Sequence, residues 1–311
     1  MKNNILDIKG IEVGHAQNEK GKTGVTVILT KQGAVCGVDV RGAAPGTRET
    51  DLLNPTNSME KVHAVVLSGG SAYGLASADG VMAYLEKNDI GFDVGVAKVP
   101  IVPAAVLFDL GVGDPFCRPD KEMGMLACEN ASATTLLEGS VGAGCGASVG
   151  KLRGAEGISE GGIGSFAIHR GDICMSALIA VNAFGDVVEN DTILAGTKNE
   201  NNEFIDTEQT LLDTAADVFF EAAYQGKNTT IGVIATNVKL TKAEATKIAS
   251  MAHNGLARSI RPVHTTMDGD TIFCLSTGEI VLDPVPVDLL GIMAVRAVET
   301  AVHRGVTMCE R

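Results

Sequence analysis

The sequence predicts one α/β domain in which helices cover a mixed β-sheet. Strand-like and helix-like segments alternate along the 311 residues, and several strands come in adjacent pairs. Adjacent pairs of strands between helices favour a mixed sheet over a purely parallel one. The sequence shows no internal repeat and no clear domain boundary. Length alone allows one large domain or two smaller ones, and because no boundary is visible we expect a single domain.

The elements of the first part of the chain follow from apolar periodicity and from turn residues. Strands are assigned where apolar residues alternate or run between turn residues, and helices where they recur at spacings of three and four. Pro100 demotes one of the strands to an edge position. In order, the sequence predicts strands at 25–29 and 34–40 joined by a turn at 31–33, a strand at 64–67, a helix marked by Leu75, Ala78, Met82 and Leu85, an edge strand at 98–102, and a helix over 121–137.

The second part of the chain begins with an unusual glycine-rich stretch. Residues 139–164 contain ten glycines in 26 positions, which predicts a long loop, and long loops in compact domains are usually functional. Thr241 and Glu244 form a capping-box pattern that opens a helix. The other predicted elements are strands at 165–169, 173–182, 230–235 and 271–275, a helix through 211–222, the capped helix to about residue 257, and a closing helix over 287–302.

Composition excludes several classes of partner. The net charge of −13 argues against nucleic acid, because phosphate binding needs a basic surface. No apolar run reaches membrane-spanning length, and the amino-terminal residues lack the apolar region of a secretory signal. The seven cysteines show no C-x-x-C spacing, which leaves a zinc site unsupported. Their odd number and wide scatter suit a reducing cytoplasm. We expect no metal and no cofactor.

Two short motifs carry the chemistry. Asn228-Thr229 lies between a polar turn and a strand, and Asp268-Gly269-Asp270 places two carboxylates two residues apart. A cut before Thr229 would give that residue a free α-amino group beside its hydroxyl, so it would hold both a nucleophile and a base. Taken separately, each motif also fits an ordinary polar turn that enters a strand.

Other candidates are weaker. Residues 146–150 match G-x-S-x-G, but no helix is expected after Ser148, as a nucleophile elbow requires. The turn at 68–74 could bind an anion but lacks the lysine of a phosphate loop, which favours a tight structural turn. His264, just before the Asp-Gly-Asp turn, is a candidate to lie near the site, although no pattern demands a role for it. His253 and His303 are interpreted as surface or boundary residues.

Six motifs together resemble one enzyme family. They occur at 66–75, 99–105, 142–147, 182–187, 228–231 and 267–270. In this order the chain resembles, over nearly its full length, the self-processing N-terminal nucleophile hydrolases of the L-aminopeptidase/D-esterase, β-aminopeptidase and nylon-oligomer (6-aminohexanoate oligomer) hydrolase family. The resemblance implies a four-layer αββα sandwich with mixed sheets. It also implies one hydrolase domain over 1–311, cut into subunits 1–228 and 229–311 that stay together and form homo-oligomers, by resemblance tetramers.

The resemblance also assigns roles to residues. It implies that Asn228-Thr229 is the scissile bond, that Thr229 is the nucleophile, and that Asp268 and Asp270 lie beside it. Asn182 would donate to the oxyanion, and Lys151 would lie near the scissile bond. The implied substrate contacts are Phe108, Tyr73, Gly144 and Cys145. Phe108 stands where relatives have a tyrosine whose hydroxyl faces the oxyanion, a donor that phenylalanine lacks.

Three functions remain open at this point. The first is a self-processing amide hydrolase acting on small peptides or amino-acid oligomers. The second is an acyltransferase of the ornithine acetyltransferase type that uses the same nucleophile. The third is an unprocessed protein that binds small molecules without catalysis, which Phe108 favours.

Overall fold

The structure, a computed structural model, describes residues 2–213 and 228–309. The helices in these ranges are α1 (Ser77–Lys87), α2 (Lys121–Glu129), α3 (Thr207–Asp213), α4 (Lys242–Ser259) and α5 (Val287–Thr307). The strands are β1 (Glu12–Asn18), β2 (Thr23–Val40), β3 (Thr47–Arg48), β4 (Val62–Ser68), β5 (Phe92–Asp93), β6 (Lys98–Val99), β7 (Ala104–Val106), β8 (Ser148–Val149), β9 (Ser159–Glu160), β10 (Ile163–Arg170), β11 (Ile173–Ala180), β12 (Asp186–Glu189), β13 (Thr192–Ala195), β14 (Ile231–Val238), β15 (Ile260–Arg261) and β16 (Thr271–Ile280).

The long strand β2 links two sheets. Its first part pairs with β1 and β4, and its second part pairs antiparallel with β16. The predicted turn at 31–33 is therefore wrong, because the chain continues as one strand while its pairing register shifts between Leu29 and Ala34. Gly33 absorbs the irregularity with a φ of +75°, a conformation that glycine adopts without strain.

Alternating apolar residues divide the core into three clusters, which define four layers. In β2, Val25 and Val27 face α1 and α2, whereas Ile28 faces the second sheet. In β16, Phe273 faces the first sheet, whereas Ile272 packs in the cluster that contains α4 and α5. Each sheet thus has one face on helices and one face on the other sheet. The expected four-layer αββα sandwich is confirmed.

Helix boundaries agree with the sequence where capping signals are present. Thr241 and Glu244 form the predicted capping box at the start of α4. Helix α2 ends at Glu129, so the prediction of a helix to residue 137 is wrong. The reason is tertiary: beyond α2, Ser132 exchanges two backbone hydrogen bonds with Val13 at the edge of β1, at 3.0 and 2.9 Å. Most of the predicted helix through 211–222 lies outside the described residues.

The glycine-rich stretch is largely a loop, as predicted. It contains a 3-10 turn at Gly142–Gly144 and the short strands β8 and β9 before β10 begins. The predicted edge strand at 98–102 shrinks to β6, which forms a hairpin with β5. None of the helices in the described ranges is both long and apolar enough to cross a membrane.

The two chemical motifs meet because β14 and β16 are parallel neighbours. Ile231 pairs with Thr271, and just ahead of both strands Asn228 forms a parallel bridge with Asp268. Parallel strands that start level place the residues before them side by side. The fold therefore brings Thr229 next to the Asp268-Gly269-Asp270 turn, although 40 residues separate Thr229 from Gly269.

Candidate active site

Thr229 lies buried against the peptide group that precedes it. Its side-chain hydroxyl donates a hydrogen bond to the carbonyl oxygen of Asn228. Its backbone N–H donates to the carbonyl oxygen of Asn182 at 2.9 Å. Thr229 and Asn228 are only 5% and 4% exposed, so bulk water does not compete for these contacts. The hydroxyl is thus held beside the one carbonyl group that it could attack to cut the chain.

Gly269, in the turn that precedes the neighbouring strand β16, approaches the same hydroxyl. Its backbone N–H donates to Thr229 Oγ1 at 3.2 Å. A Cβ at this position would lie 2.9 Å from Thr229 Oγ1 and 2.7 Å from the carbonyl oxygen of Ala44. Only glycine fits without displacing one of these atoms. The glycine of the Asp-Gly-Asp turn therefore lets a backbone donor reach the hydroxyl.

Asp270 holds the backbone next to Thr229. Its Oδ1 accepts the backbone N–H of Thr230 at 2.7 Å, and its Oδ2 accepts from His264 Nδ1 at 2.8 Å. The side chain is 1% exposed, so both contacts are shielded from solvent. Buried charge-assisted hydrogen bonds of this kind are short and directional. Asp270 thus ties Thr230 to the loop that precedes β16.

Asp268 is a buried carboxyl with a raised pKa. Burial and, secondarily, the charge of Asp270 raise its pKa to about 6, while hydrogen bonds from Thr265 and the charge of Lys151 oppose the shift. Its Oδ2 accepts from Thr265 N at 2.8 Å and from Thr265 Oγ1 at 2.6 Å. A group that titrates near neutral pH in a buried site is suited to moving protons.

Lys151 and Asn182 lie on the other side of Thr229. Lys151 Nζ donates to Asn182 Oδ1 at 2.8 Å and to the Asn182 carbonyl oxygen at 3.2 Å. The same carbonyl oxygen also accepts the N–H of Thr229, so the Lys151 ammonium group and the Thr229 nitrogen share one hydrogen-bond acceptor. The structure thus brings together Asn228, Thr229, Asp268, Asp270, Asn182 and Lys151.

Phe108 joins this cluster through its backbone rather than its ring. Asn182 Nδ2 donates to the Phe108 carbonyl oxygen at 3.1 Å, which fixes the orientation of the Asn182 amide. The next residue, Asp109, is buried and accepts from Thr23 Oγ1 and from the backbone N–H of Gly70, both at 2.7 Å. Burial raises the pKa of Asp109, and Lys151 partly offsets that shift. The segment is therefore anchored beside Lys151.

The remaining expected substrate contacts are Tyr73, Gly144 and Cys145, which lie outside the hydrogen-bond network that the described residues form around Thr229. Tyr73 is 58% exposed, and the guanidinium carbon of Arg118 lies 3.6 Å from the centre of its ring. Gly144 and Cys145 are buried in the glycine-rich loop, and burial raises the pKa of the Cys145 thiol to about 11. Cys145 is therefore a neutral thiol at pH 7, not a nucleophile. Within the described ranges, none of these three residues forms a hydrogen bond with Thr229.

Sequence reasoning allowed His264 near the site but missed its partner His253. His253, interpreted as a surface or boundary residue, is fully buried and packs edge-on against His264 with 4.9 Å between ring centres. The correction has a physical reason: the face of α4 that carries His253 packs inward, where His253 Nε2 lies 3.0 Å from the backbone oxygen of Asp39. The only sequence signal was the position of His264 just before the Asp-Gly-Asp turn.

No group of three or more potential metal ligands occurs in the part of the chain that the structure describes. Ser148, from the G-x-S-x-G match, is followed by a short strand rather than a helix. That geometry does not form a nucleophile elbow. The groups that the structure places around Thr229 are a hydroxyl, an amide, carboxyls and an ammonium group.

The fold is that of the N-terminal nucleophile hydrolases. The chain superimposes with a TM-score of 0.73 and 19% identity on the L-aminopeptidase D-Ala-esterase/amidase of Ochrobactrum anthropi, covering 99% of this chain and 87% of that one. That enzyme is described as a prototype for the serine aminopeptidases and a new variant of the Ntn hydrolase fold. At this level of identity, the similarity establishes the architecture.

The sequence places the chain in a family. The model of peptidase family S58 matches residues 3–311, and the protein belongs to this family. It is 44% identical to an uncharacterized aminopeptidase of Mycobacterium leprae over 89% of this chain and 79% of that protein. It is 32% identical to the 6-aminohexanoate-oligomer endohydrolase of Agromyces sp., over 94% of this chain and 80% of that enzyme.

These relationships make the protein a hydrolase that acts on peptide or amide bonds. They confirm the expected family and favour the amide hydrolase over the acyltransferase and the binding protein.

Proposed function

We propose that this protein cuts itself between Asn228 and Thr229 and then hydrolyses small amide substrates with Thr229 as its amino-terminal nucleophile. The observation that carries the proposal is the placement of the Thr229 hydroxyl. It contacts the Asn228 carbonyl oxygen on one side and accepts the Gly269 N–H on the other. The hydroxyl is thus oriented toward the bond that has to break.

Self-cleavage follows from that placement. Thr229 Oγ1 attacks the Asn228 carbonyl carbon, and a C–O bond forms as the C–N bond breaks. The hydroxyl proton ends on the Thr229 nitrogen, which becomes a free amine. Water then hydrolyses the ester, which leaves a carboxylate on Asn228 and restores the Thr229 hydroxyl. No external cofactor is needed, because the nucleophile and leaving group belong to one residue.

The freed amine then serves as the base for turnover. An α-amino group has a pKa of about 7.7–8.0, so part of it is neutral near pH 7. In the uncut chain its nitrogen bonds the Asn182 carbonyl, which Lys151 Nζ also contacts. The positive charge of Lys151 disfavours protonation of the amine, whereas the nearby carboxylates Asp268 and Asp270 favour it. These opposing charges keep the amine able to accept and release a proton.

Asn182 is suited to stabilise the oxyanion. One N–H of its side-chain amide bonds the Phe108 carbonyl, and the amide carries a second N–H for the developing negative charge. One such donor contributes about 3–4 kcal/mol in comparable sites. Phe108 supplies no hydroxyl here, so the oxyanion depends more strongly on Asn182 and on backbone donors.

The substrate class is small peptides or amino-acid oligomers. The names of relatives point to aminopeptidase and 6-aminohexanoate-oligomer substrates. The carboxylates of Asp268 and Asp270, just ahead of β16, would attract a substrate with a free amino group. Tyr73, Gly144, Cys145 and Phe108 remain our proposed substrate contacts. We also propose that the cut fragments remain associated, that the protein forms homo-oligomers, by resemblance tetramers, and that it works in the cytoplasm.

The intact mass of the purified wild-type protein tests the proposal. We expect two polypeptides, one ending at Asn228 and one beginning at Thr229. Edman sequencing of the smaller one should start Thr-Thr-Ile-Gly. A single full-length mass after prolonged incubation at neutral pH would contradict self-cleavage.

The raised pKa of Asp268 predicts a pH dependence of self-cleavage. As pH falls through about 6, Asp268 takes up a proton and loses the charge that would assist proton movement at Thr229, so cleavage should slow. Asp268→Asn should slow cleavage at pH 8 and flatten the profile between pH 5 and 7. Freshly translated precursor, followed on denaturing gels, provides the measurement. Asp191→Asn is the control, because the side chain of Asp191 is 84% exposed.

This loss at low pH should not arise from unfolding caused by Asp268. Its folded-state pKa lies above the unfolded value of about 3.9, so the folded state binds the proton more tightly. The contribution of Asp268 to stability therefore grows as pH falls from about 6 to about 4. A wild-type profile that Asp268→Asn leaves unchanged would show that another group controls cleavage.

A further inference from the structure

A partly buried imidazole holds the carboxylate that anchors the strand after Thr229. His264 approaches Asp270 Oδ2 twice, with Nδ1 at 2.8 Å and with its backbone N–H at 3.3 Å. The other oxygen of Asp270 accepts the Thr230 N–H at 2.7 Å. One carboxylate thus connects an imidazole to the backbone immediately after Thr229.

The tautomers of the two histidines follow from their contacts. His264 Nδ1 faces a carboxylate and must carry a proton to donate, which leaves Nε2 buried without a partner. His253 uses Nε2 to donate to the Asp39 backbone oxygen, and its Nδ1 is likewise buried without a partner. Burial lowers the pKa of His253 to about 4, so this ring is neutral at pH 7. A neutral imidazole therefore packs against the His264 ring.

The backbone at His264 also serves this contact. Its φ is +57°, in the left-handed region that only a few per cent of residues other than glycine adopt. With this conformation the backbone N–H and the ring Nδ1 of one residue both reach Asp270 Oδ2. Unusual backbone geometry beside a functional group is a recognised mark of a functional site.

Cutting the chain changes what holds Thr229. In the uncut chain Thr229 is fixed covalently on both sides, and Asn228 is paired with Asp268. After the cut the link to Asn228 is gone, and the Asp270–Thr230 hydrogen bond directly restrains the new terminus. A restraint on Asp270 therefore matters more for the cut enzyme than for the cut itself.

We propose that His264 is a positioning residue that orients Asp270 and thereby keeps the new amino terminus at Thr229 in place for substrate turnover. This inference rests on the proposed function, because it assigns Thr229 as the amino-terminal nucleophile. Its signature is a separation of two reactions: self-cleavage largely intact, and turnover by the cut enzyme impaired.

Two variants test the role of the donor. His264→Gly removes the imidazole but accepts the positive φ, whereas His264→Asn removes the ring, accepts the same φ, and keeps a donor nitrogen bonded to Cγ. We expect both to be cut at 228–229. His264→Gly should lose about 10²-fold in kcat on an amino-acid anilide, as expected when a reacting group shifts by about 1 Å, with a smaller change in KM. His264→Asn should recover most of that loss.

The outcomes separate this inference from the proposed function. Equal losses in His264→Gly and His264→Asn, or wild-type kcat in His264→Gly, would overturn the positioning role. If His264→Gly does not fold, His264→Gln replaces it, because its amide lies one bond farther from the backbone and should not rescue turnover. A Thr229→Ala protein that is still cut and active would instead overturn the proposed function itself.

Discussion

Thr229→Ala should yield a single full-length chain with no measurable amide hydrolysis. The substitution removes the hydroxyl that contacts the Asn228 carbonyl and leaves the backbone contacts to Asn182 and Asp270 unchanged. Without the nucleophile neither the cut nor turnover has a pathway, so we expect losses of more than about 10³-fold. Intact mass and release of amine from an amino-acid anilide measure the two effects.

Thr229→Ser is the matched control for this experiment. It keeps a hydroxyl at the same position and loses only a methyl group, so we expect a cut and active protein. Both variants should fold, because the backbone contacts of Thr229 and Thr230 to Asn182 and Asp270 are kept. An uncut Thr229→Ser protein that folds normally would show that the methyl group is needed to orient the hydroxyl.

Gly269→Ala should block self-cleavage almost as strongly, although residue 269 contributes only its backbone. The new Cβ would lie 2.9 Å from Thr229 Oγ1 and 2.7 Å from the Ala44 oxygen, closer than ordinary packing allows. The turn or the hydroxyl must move, and the N–H bond to Thr229 Oγ1 weakens with it. A displacement of about 1 Å can cost about 10²-fold in rate. The half-time of precursor cleavage is the measurement.

Gly111→Ala provides the comparison. A Cβ there meets its nearest neighbour only at 4.0 Å, so the substitution should leave cleavage unchanged. Wild-type cleavage in Gly269→Ala would mean that the loop yields without moving Thr229. The requirement for glycine in the Asp-Gly-Asp turn would then be a matter of folding and not of chemistry.

The fold could be predicted from sequence wherever local signals decided it. The short apolar runs in β14 and β16 and the capping box of α4 predicted the correct elements. Local signals failed where a tertiary partner decided the outcome. Strand β2 runs straight through turn-like residues because each half finds its own sheet, and the chain leaves α2 early because the edge of β1 offers hydrogen bonds.

The candidate site was predictable in part. Motif order pointed to Asn228, Thr229 and the Asp-Gly-Asp turn, and the parallel pairing of β14 with β16 brings them together. The roles of these residues remain predictions. The His253–His264 pair could not be predicted, because it depends on which face of α4 packs inward and on one left-handed residue. Neither property has a local sequence signal.

The strand order determines how firmly the two pieces would stay associated after the proposed cut. Strands β14 and β16, which the proposed cut would assign to the piece beginning at Thr229, lie between β11 and β2, which would belong to the other piece. The two pieces are therefore interleaved within one sheet and do not meet at a separable interface. Pulling them apart would mean opening two hydrogen-bonded ladders and the core at once. A molecule cut in this way would stay assembled for as long as it stayed folded, and once unfolded it would have to reassemble from two chains.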